Sequence, residues 1–223
     1  MRDGFVKVAA VTPDIRVADV AYNTQNICKM IDETVAKGAK VIVFPELCVT
    51  GYTCSDLFTQ DILLKKSKEA LFKIAEYTKE KDAIIFIGVP LAIDGELYNV
   101  AAALNHGEIL GLTTKTFLPN YGEFYEMRQF REGPETAREI FFDGEKVPFG
   151  PQILFTASCM EQLVVSAEIC EDVWSPIPPS IEAAREGATI IVNCSASDET
   201  IGKAAYRRSL IEGQSARLIA GYV

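Results

Sequence analysis

VVSAEICEDVW, the stretch Val164–Trp174, joins an apolar segment to an acidic turn that carries a cysteine. Residues Leu163–Ala167 are apolar and partly β-branched, which is typical of a buried strand. Prolines at positions 176, 178 and 179 prevent a long helix from starting directly after the turn. Cys170, at the end of this strand, is therefore a candidate nucleophile. A buried structural thiol is the alternative, because free cysteine is among the residue types most often buried.

Outward from this stretch, strands and helices are predicted to alternate along the chain. Apolar runs predict strands over residues 5–11, 41–44, 83–89, 98–104, 108–115, 153–156, 163–167 and 189–194, and from residue 218. Amphipathic periodicity predicts helices over residues 19–37, 64–81, 181–186 and 202–217. Residues 116–151 are predicted to be the least regular part. The alternation predicts an α/β fold with helices covering at least one face of each sheet, and the hairpins argue against a purely parallel sheet.

The composition fits one globular domain with a full core. The chain has 223 residues, of which 48% are hydrophobic and 24% are charged. Its net charge of −9 and the lack of any basic run argue against a nucleic-acid partner. The sequence contains neither a signal-peptide pattern nor an apolar run of about 20 residues that could span a bilayer. We therefore expect a cytoplasmic protein without a membrane partner.

The cysteines are expected to be reduced thiols rather than disulfides or zinc ligands. There are six of them: Cys28, Cys48, Cys54, Cys159, Cys170 and Cys194. None belongs to a Cys-x-x-Cys pair, and the chain has a single histidine, so no metal site is predicted.

Three polar residues interrupt predicted strand ends in the same way. Glu46 follows VIVFP, Lys115 follows LGLTT, and Cys170 follows VVSAEI. Each alone has an ordinary interpretation, as a solvated loop acid, a surface lysine or a structural thiol. Together they supply a base, a cation and a nucleophile, which is a complete set for acyl transfer.

The base for such a cysteine is predicted to be a carboxylate. The single histidine, His106, lies in a hairpin turn, where side chains are usually solvated. Glu46 is the leading candidate, because burial at an apolar strand end raises the pKa of a carboxyl group and makes it a better base. Lys115 would then stabilise both the thiolate and the oxyanion that forms on the attacked carbonyl.

These residues and their contexts resemble the Glu–Lys–Cys triad of the nitrilase, or carbon–nitrogen hydrolase, superfamily. FPELCVTGY surrounds Glu46, KTFLPNYGEFYE begins at Lys115, and EICEDVW surrounds Cys170. The last two motifs, with NCSAS at Asn193–Ser197, are similar to those of the glutaminase domains of glutamine-dependent NAD synthetases. The similarity extends over the whole chain, from the first predicted strand to Val223.

The resemblance implies a four-layer α-β-β-α sandwich, the nitrilase fold, that hydrolyses the side-chain amide of glutamine. Cys170 would attack the amide and form a glutamyl thioester. Glu46 would act as general base and later as general acid. Lys115 would hold the oxyanion together with a backbone N–H near Glu171.

The resemblance also assigns residues around the triad. Glu123 matches the supporting carboxylate of the family, with a loop acid as the less favoured alternative. Five further residues match glutamine-binding positions, with packing or a solvated loop as the alternative: Tyr52, Tyr121, Glu171, Ser195 and Ser197. Trp174 is interpreted as a packing anchor rather than a ligand contact.

A synthetase of this kind carries a second, ATP-using domain with a Ser-Gly-Gly phosphate-binding loop, which this sequence lacks. We therefore expect residues 1–223 to be a glutaminase domain, truncated at its C-terminal end, with a synthetase domain following in the complete protein. No cofactor is expected in this domain; ATP, Mg²⁺ and deamido-NAD would belong to the synthetase domain. The resemblance further implies assembly into a homo-oligomer.

Two other functions are compatible with the same motifs. One is a free-standing amidase or carbamoylase of the superfamily, which shares the triad but not the substrate pocket. The other is a non-catalytic scaffold with the nitrilase fold. The presence of all three triad residues at strand ends disfavours the scaffold.

Overall fold

The computed structural model describes residues 4–223 and contains two β-sheets and five α-helices within that range. The helices are α1 (Val20–Ala36), α2 (Asp61–Tyr77), α3 (Glu126–Gln129), α4 (Pro179–Arg185) and α5 (Lys203–Leu218). The strands are β1 (Val8–Ala10), β2 (Val41–Val43), β3 (Ile84–Ile93), β4 (Glu96–Asn105), β5 (Glu108–Thr114), β6 (Arg138–Phe142), β7 (Glu145–Gly150), β8 (Leu154–Ala157), β9 (Met160–Ile169), β10 (Ile190–Cys194) and β11 (Gly221–Tyr222). Two 3-10 helices span Tyr52–Thr59 and Cys170–Trp174.

The larger sheet has seven strands in the order β1-β2-β3-β4-β5-β7-β6, and the smaller has four in the order β11-β10-β9-β8. In the larger sheet β1, β2 and β3 are parallel, whereas β3, β4 and β5 form an antiparallel meander. In the smaller sheet β9, β10 and β11 are parallel. The hairpins expected from the sequence are confirmed, and neither sheet is purely parallel.

The two sheets pack face to face, and helices cover their outer faces. On the larger sheet, Val43 and Phe86 face the smaller sheet and join Val165 in the core between the two. Their neighbours Ile42 and Ile85 point to the other face and pack against α1 and α2. This alternation follows from the two-residue period of a strand. The smaller sheet is covered in the same way by α4 and α5, so the four-layer α-β-β-α sandwich is confirmed.

The ends of α1 follow from their sequence. Asp19 caps the helix by accepting a hydrogen bond of 3.1 Å from the Tyr22 N–H. After Lys37, Gly38 adopts φ +84°, a conformation that glycine reaches without steric cost, and the chain turns into β2. Both assignments made from the sequence are confirmed.

The prediction of an irregular segment over residues 116–151 was wrong in its second half. Strands β6 and β7 form a hairpin there, and Asp143 and Gly144 make its turn with φ values of +56° and +91°. An Asp-Gly pair between alternating apolar residues is a hairpin signal. The hairpin is stable because Phe142 stacks on Phe72 of α2, with ring centroids 5.4 Å apart. Long-range packing thus completes the edge of the larger sheet.

None of the helices within residues 4–223 has the length and apolarity needed to cross a bilayer.

Gly88 of β3 lies directly under the turn that carries Glu46, and a side chain there should be strongly destabilising. A Cβ atom at this position would lie 2.3 Å from the Pro45 O atom and 2.4 Å from the Leu47 N atom. Because both atoms belong to the backbone, the turn itself would have to move. We expect Gly88→Ala to lower the free energy of unfolding in urea by about 3 kcal/mol or more.

Gly213 of α5 provides the matched control, because a Cβ there would meet no atom within 4 Å. Gly213→Ala should be neutral or stabilising by about 0.5–1 kcal/mol, since alanine is favoured in a helix. Equal unfolding free energies for Gly88→Ala and the unsubstituted chain would contradict the close approach.

Candidate active site

The three candidate catalytic residues each follow the carboxyl end of a strand. Glu46 comes three residues after β2, Lys115 directly follows β5, and Cys170 directly follows β9. Strands β2 and β5 run in the same direction in the larger sheet, because the two antiparallel steps between β3 and β5 restore the direction. Their carboxyl ends therefore meet at one edge of the sheet, and β9 of the smaller sheet delivers Cys170 to the same place.

Glu46 and Lys115 form a buried ion pair. The Lys115 Nζ lies 2.6 Å from the Glu46 Oε1 atom, and both side chains are 0% exposed. The same Nζ lies 2.6 Å from an oxygen of Glu126. Burial by itself lowers the pKa of Lys115, but the negative charges of Glu46 and Glu126 outweigh burial and raise that pKa above its usual range. The raised pKa favours the charged ammonium form of Lys115 inside the protein.

The two carboxylate oxygens of Glu46 have different surroundings. Oε1 accepts from the Lys115 ammonium and from the Asn99 side-chain amide, which lies 2.7 Å away. Oε2 accepts a longer hydrogen bond of 3.2 Å from the Ala196 N–H. Oε2 is therefore the oxygen with more capacity left to accept a proton.

Cys170 occupies a strained position at the start of a 3-10 helix. Its φ of +43° lies in the left-handed region, which costs a non-glycine residue on the order of 1–3 kcal/mol. Its Sγ atom accepts a hydrogen bond from the Ser195 hydroxyl at 3.4 Å. Burial raises the pKa of Cys170, and the charge of Glu46 raises it further against the opposing effect of Lys115. The raised pKa favours the protonated thiol, which needs a base when it attacks.

Asp172 fixes the turn on which Cys170 lies. One of its carboxylate oxygens accepts from the Ile169 N–H at 2.9 Å, and the other accepts from the N–H groups of Thr116 and Phe117 at 3.1 and 2.8 Å. Burial and the nearby Glu168 raise the pKa of Asp172 to about 8, although the Ile169 and Phe117 N–H groups lower it. The residue after Lys115 and the residue before Cys170 are thereby held by one side chain.

The carboxylate beside Lys115 is Glu126, not Glu123. Glu123 is exposed to solvent, so its expected position beside the triad is corrected. Both glutamates belong to the motif KTFLPNYGEFYE, and the sequence does not distinguish them. The chain folds back after Lys115, and the Glu126 N–H donates to the Pro119 carbonyl at 3.2 Å. This loop closure turns Glu126 inward at the start of α3 and leaves Glu123 outside.

Glu126 is a second titratable acid in the site. Burial and the charge of Glu46 raise the pKa of Glu126 to about 7, although Lys115 and the Tyr52 hydroxyl lower it. The Tyr52 hydroxyl donates to the Glu126 Oε1 atom at 2.8 Å. Tyr52, predicted to bind substrate, thus contacts the carboxylate that holds Lys115.

The other four predicted binding residues lie around Cys170. The Tyr121 hydroxyl donates to a carboxylate oxygen of Glu171 at 2.9 Å, and Tyr121 is 59% exposed. The Ser195 hydroxyl contacts the Cys170 Sγ atom and lies 3.4 Å from the Ser197 N–H. Tyr121, Glu171 and the two serines thus lie near Cys170 on three separate segments of chain.

Aromatic and cationic side chains lie beside these segments. Trp174 contacts Tyr206 with ring centroids 5.5 Å apart, and the Lys203 Nζ lies 5.5 Å from the centroid of Trp174. These contacts agree with a packing role for Trp174. Among residues 4–223, no group of three or more His, Cys, Asp or Glu residues could hold a metal ion.

Sequence reasoning missed three polar residues that contact the triad or its supports. Glu126 was present in a quoted motif, and Asn193 was present in NCSAS, but no role was assigned to either. Asn99 lies inside strand β4, where no local signal separates a structural amide from one that binds Glu46.

Comparisons with known proteins agree with this geometry. The carbon–nitrogen hydrolase family model matches residues 7–216. The glutamine-dependent NAD(+) synthetase of Mycobacterium leprae is 39% identical over 220 residues, which cover 99% of this chain and 32% of that protein. The human protein of the same name is 30% identical over 216 residues, covering 92% of this chain and 30% of that protein. The chain thus spans about a third of the length of the curated relatives it matches.

Solved structures show the same likeness. A glutamine-dependent NAD(+) synthetase from Cytophaga hutchinsonii superposes with a TM-score of 0.87 at 31% identity, over 97% of this chain and 35% of that one. An amidase from Nesterenkonia sp. matches 100% of this chain and 78% of its own with a TM-score of 0.76, but at 19% identity it supports the fold alone. The resemblance identified from the motifs is confirmed, and the chain belongs to the carbon–nitrogen hydrolase family.

Proposed function

We propose that this chain hydrolyses the side-chain amide of L-glutamine through a thioester on Cys170 and so releases ammonia. The observation that carries the proposal is the buried ion pair of Glu46 and Lys115 beside a cysteine on a strained turn. Burying two charges costs several kcal/mol, and the attraction within a buried ion pair often does not offset that cost. Stability alone therefore does not account for this pair, which favours a chemical role. The relatives named glutamine-dependent NAD(+) synthetase favour glutamine as the amide.

The first step would be proton transfer and attack. Glu46 accepts the thiol proton on Oε2, because its Oε1 atom already accepts from Lys115 and Asn99. The sulfur then bonds to the amide carbon, and the carbonyl electrons move to oxygen. The resulting oxyanion would lie near the Lys115 ammonium, the only permanent positive charge that the triad contains.

A backbone N–H would complete the oxyanion site. Cys170 cannot provide it, because its own N–H donates to the Asn193 side chain at 2.8 Å. The N–H of Glu171, in the first turn of the 3-10 helix, has no partner within that helix. We assign the second oxyanion donor to Glu171.

Collapse of the tetrahedral species would break the carbon–nitrogen bond. Glu46 returns its proton to the departing nitrogen, which leaves as ammonia. Water then attacks the thioester carbon as Glu46 takes one of the water protons. The carbon–sulfur bond breaks, glutamate leaves, and Glu46 returns that proton to the Cys170 sulfur. Glu126 would keep Lys115 in place through both halves, because its Oε1 atom contacts the ammonium at 2.6 Å. Cysteine, glutamate and lysine supply all the chemistry, so the proposal needs no cofactor in this chain.

The α-amino and α-carboxylate groups of glutamine would be recognised outside the triad. Tyr121 and Glu171 offer a hydroxyl and a carboxylate, and Ser195 and Ser197 offer hydroxyls and an N–H. We propose that these four residues contact the substrate. Tyr52 would act indirectly, through Glu126.

For the complete protein we propose that the ammonia supports ATP-dependent synthesis of NAD from deamido-NAD. Residues 1–223 would be the glutaminase domain, and a synthetase domain of the same protein would bind ATP, Mg²⁺ and deamido-NAD. The names of the full-length relatives support this proposal, and so does the fraction of their length that the chain covers. A cytoplasmic location and a homo-oligomeric assembly are part of the same proposal.

A substrate comparison tests the proposed reaction. The purified chain is incubated with L-glutamine, L-asparagine, propionamide or an N-carbamoyl amino acid, and released ammonia is measured. We expect kcat/KM for glutamine to exceed that for asparagine by about 10- to 200-fold, the effect of one methylene in a fitted pocket. Faster hydrolysis of propionamide or the carbamoyl compound would indicate an amidase or carbamoylase instead. No ammonia from any substrate would indicate the scaffold.

A further inference from the structure

A chain of hydrogen bonds connects the backbone of Cys170 to the edge strand β11, and the proposed chemistry does not use it. The Asn193 Oδ1 atom accepts from the Cys170 N–H at 2.8 Å. The Asn193 Nδ2 atom donates to the Tyr222 hydroxyl at 3.0 Å, and that hydroxyl donates to Glu168 Oε1. Glu168 is 1% exposed and accepts from the Ser180 N–H at 2.9 Å through Oε2. Three side chains thus lie in series behind the nucleophile.

The direction of every bond in this series is determined by its first member. A backbone N–H can only donate, so Asn193 must present its oxygen to Cys170. Its NH₂ group then faces Tyr222, whose oxygen must accept. The hydroxyl proton of Tyr222 is left to donate to Glu168. Each side chain therefore orients the next, and leucine at position 193 or phenylalanine at position 222 would break the series.

The bond from Cys170 matters because the backbone there is strained. A non-glycine residue at φ +43° persists only where its surroundings hold it. Asp172 holds the Ile169 N–H before this turn and the Thr116 and Phe117 N–H groups of the segment after Lys115, but it does not contact the Cys170 N–H. Asn193 is the side chain that does.

We propose that Asn193, oriented by Tyr222 and Glu168, is a positioning residue that holds the Ile169–Cys170 peptide so that Sγ faces Glu46 and Lys115. Asn193 also occupies the Cys170 N–H and thereby leaves oxyanion binding to Glu171 and Lys115. The effect on catalysis rests on the proposed function, whereas the effect on the reactivity of the thiol does not.

Two variants and their combination test the proposal. Asn193→Leu has a similar volume and lacks both hydrogen bonds, so we expect kcat for glutamine to fall about 10- to 100-fold while KM changes less than about twofold. Tyr222→Phe loses one hydroxyl and should lower kcat by a smaller factor of about 3- to 10-fold. Because Tyr222 acts through Asn193, the double variant should be no slower than Asn193→Leu. A merely structural role would make the two losses multiply.

A second readout does not involve glutamine. Alkylation of Cys170 by iodoacetamide is followed by mass spectrometry of its peptide, with the exposed Cys159 in the same chain as internal reference. We expect Asn193→Leu to slow the reaction of Cys170 about 10-fold or more and to leave that of Cys159 unchanged. Asn105→Leu is the matched control, because its amide donates to the Ala83 carbonyl at 2.9 Å away from the site.

The outcomes separate this proposal from the proposed function. An unchanged kcat and an unchanged Cys170 alkylation rate in Asn193→Leu would overturn the positioning role, and so would losses that multiply in the double variant. If Asn193→Leu does not fold, Tyr222→Phe tests the positioning role instead. A kcat and a Cys170 alkylation rate equal to those of the unsubstituted chain would then overturn the role. If no variant or parent hydrolyses glutamine but Cys170 alkylation still follows the expected order, the proposed substrate is wrong and the positioning role stands.

Discussion

Replacing Cys170 with alanine is expected to abolish the release of ammonia from glutamine, with a fall in kcat of about 10⁴-fold or more. Without the sulfur no thioester can form. The small side chain should be accepted at this position, because Cys170 lies at a strand end where Asp172 holds the neighbouring N–H groups. The measurement is ammonia release from glutamine, alongside far-UV circular dichroism to verify folding.

Cys159→Ala is the matched control, because Cys159 is a free and exposed cysteine. It should hydrolyse glutamine at the rate of the unsubstituted chain. In a complete protein that carries the proposed synthetase domain, Cys170→Ala should still make NAD from added ammonium salts but not from glutamine. Glutamine-dependent synthesis at a normal rate in that variant would show that Cys170 is not the nucleophile.

Replacing Lys115 with methionine is expected to damage both stability and catalysis. The carboxylates of Glu46 and Glu126 would remain buried, with side chains 0% and 5% exposed, and would lose their shared cation. Removal of one partner from a buried ion pair costs about 3–5 kcal/mol, which urea unfolding would measure. The oxyanion would lose its positive charge, so kcat should fall about 10³-fold or more in whatever fraction remains folded.

A second substitution separates these two effects. Adding Glu126→Gln to Lys115→Met removes one of the two unpaired charges, so part of the lost stability should return while activity stays absent. Lys146→Met is the control, because Lys146 pairs with Glu139 at 3.4 Å on the surface and should change stability by less than about 0.5 kcal/mol. Recovery of activity in the double variant would contradict a direct role for the Lys115 charge.

The buried charges also explain why the site is built from so many backbone contacts. Glu46 accepts from the Ala196 N–H, and Asp172 accepts from three N–H groups on two segments. A carboxylate in a low-dielectric interior has lost its hydrogen bonds to water. Backbone N–H donors replace those hydrogen bonds and so stabilise the group. The same donors fix the loops that carry Lys115 and Cys170, so the stability of the charges and the geometry of the site depend on one set of bonds.

The sequence by itself predicted sheets covered by helices and the three strand ends that form the site, and the resemblance of its motifs added the four-layer arrangement. The continuous apolar runs of β2 and β3 and the amphipathic period of α1 and α2 are local patterns, and local patterns report which residues of an element are buried. Glu46, Lys115 and Cys170 could be singled out because each interrupts an apolar run at its end. The motifs around them extended this interpretation to a family, and the family model confirmed it.

The tertiary structure alone decided which polar side chains meet behind those strand ends. Glu123 and Glu126 are three residues apart in one motif, and only the folded segment places Glu126 against Lys115 while Glu123 stays exposed. Asn99, Asn193 and Tyr222 lie on three different strands, and their partners are between 23 and 54 residues away along the chain. Such contacts leave no periodic trace in the sequence, because they depend on how the two sheets pack and where their strands end rather than on any local preference of the backbone.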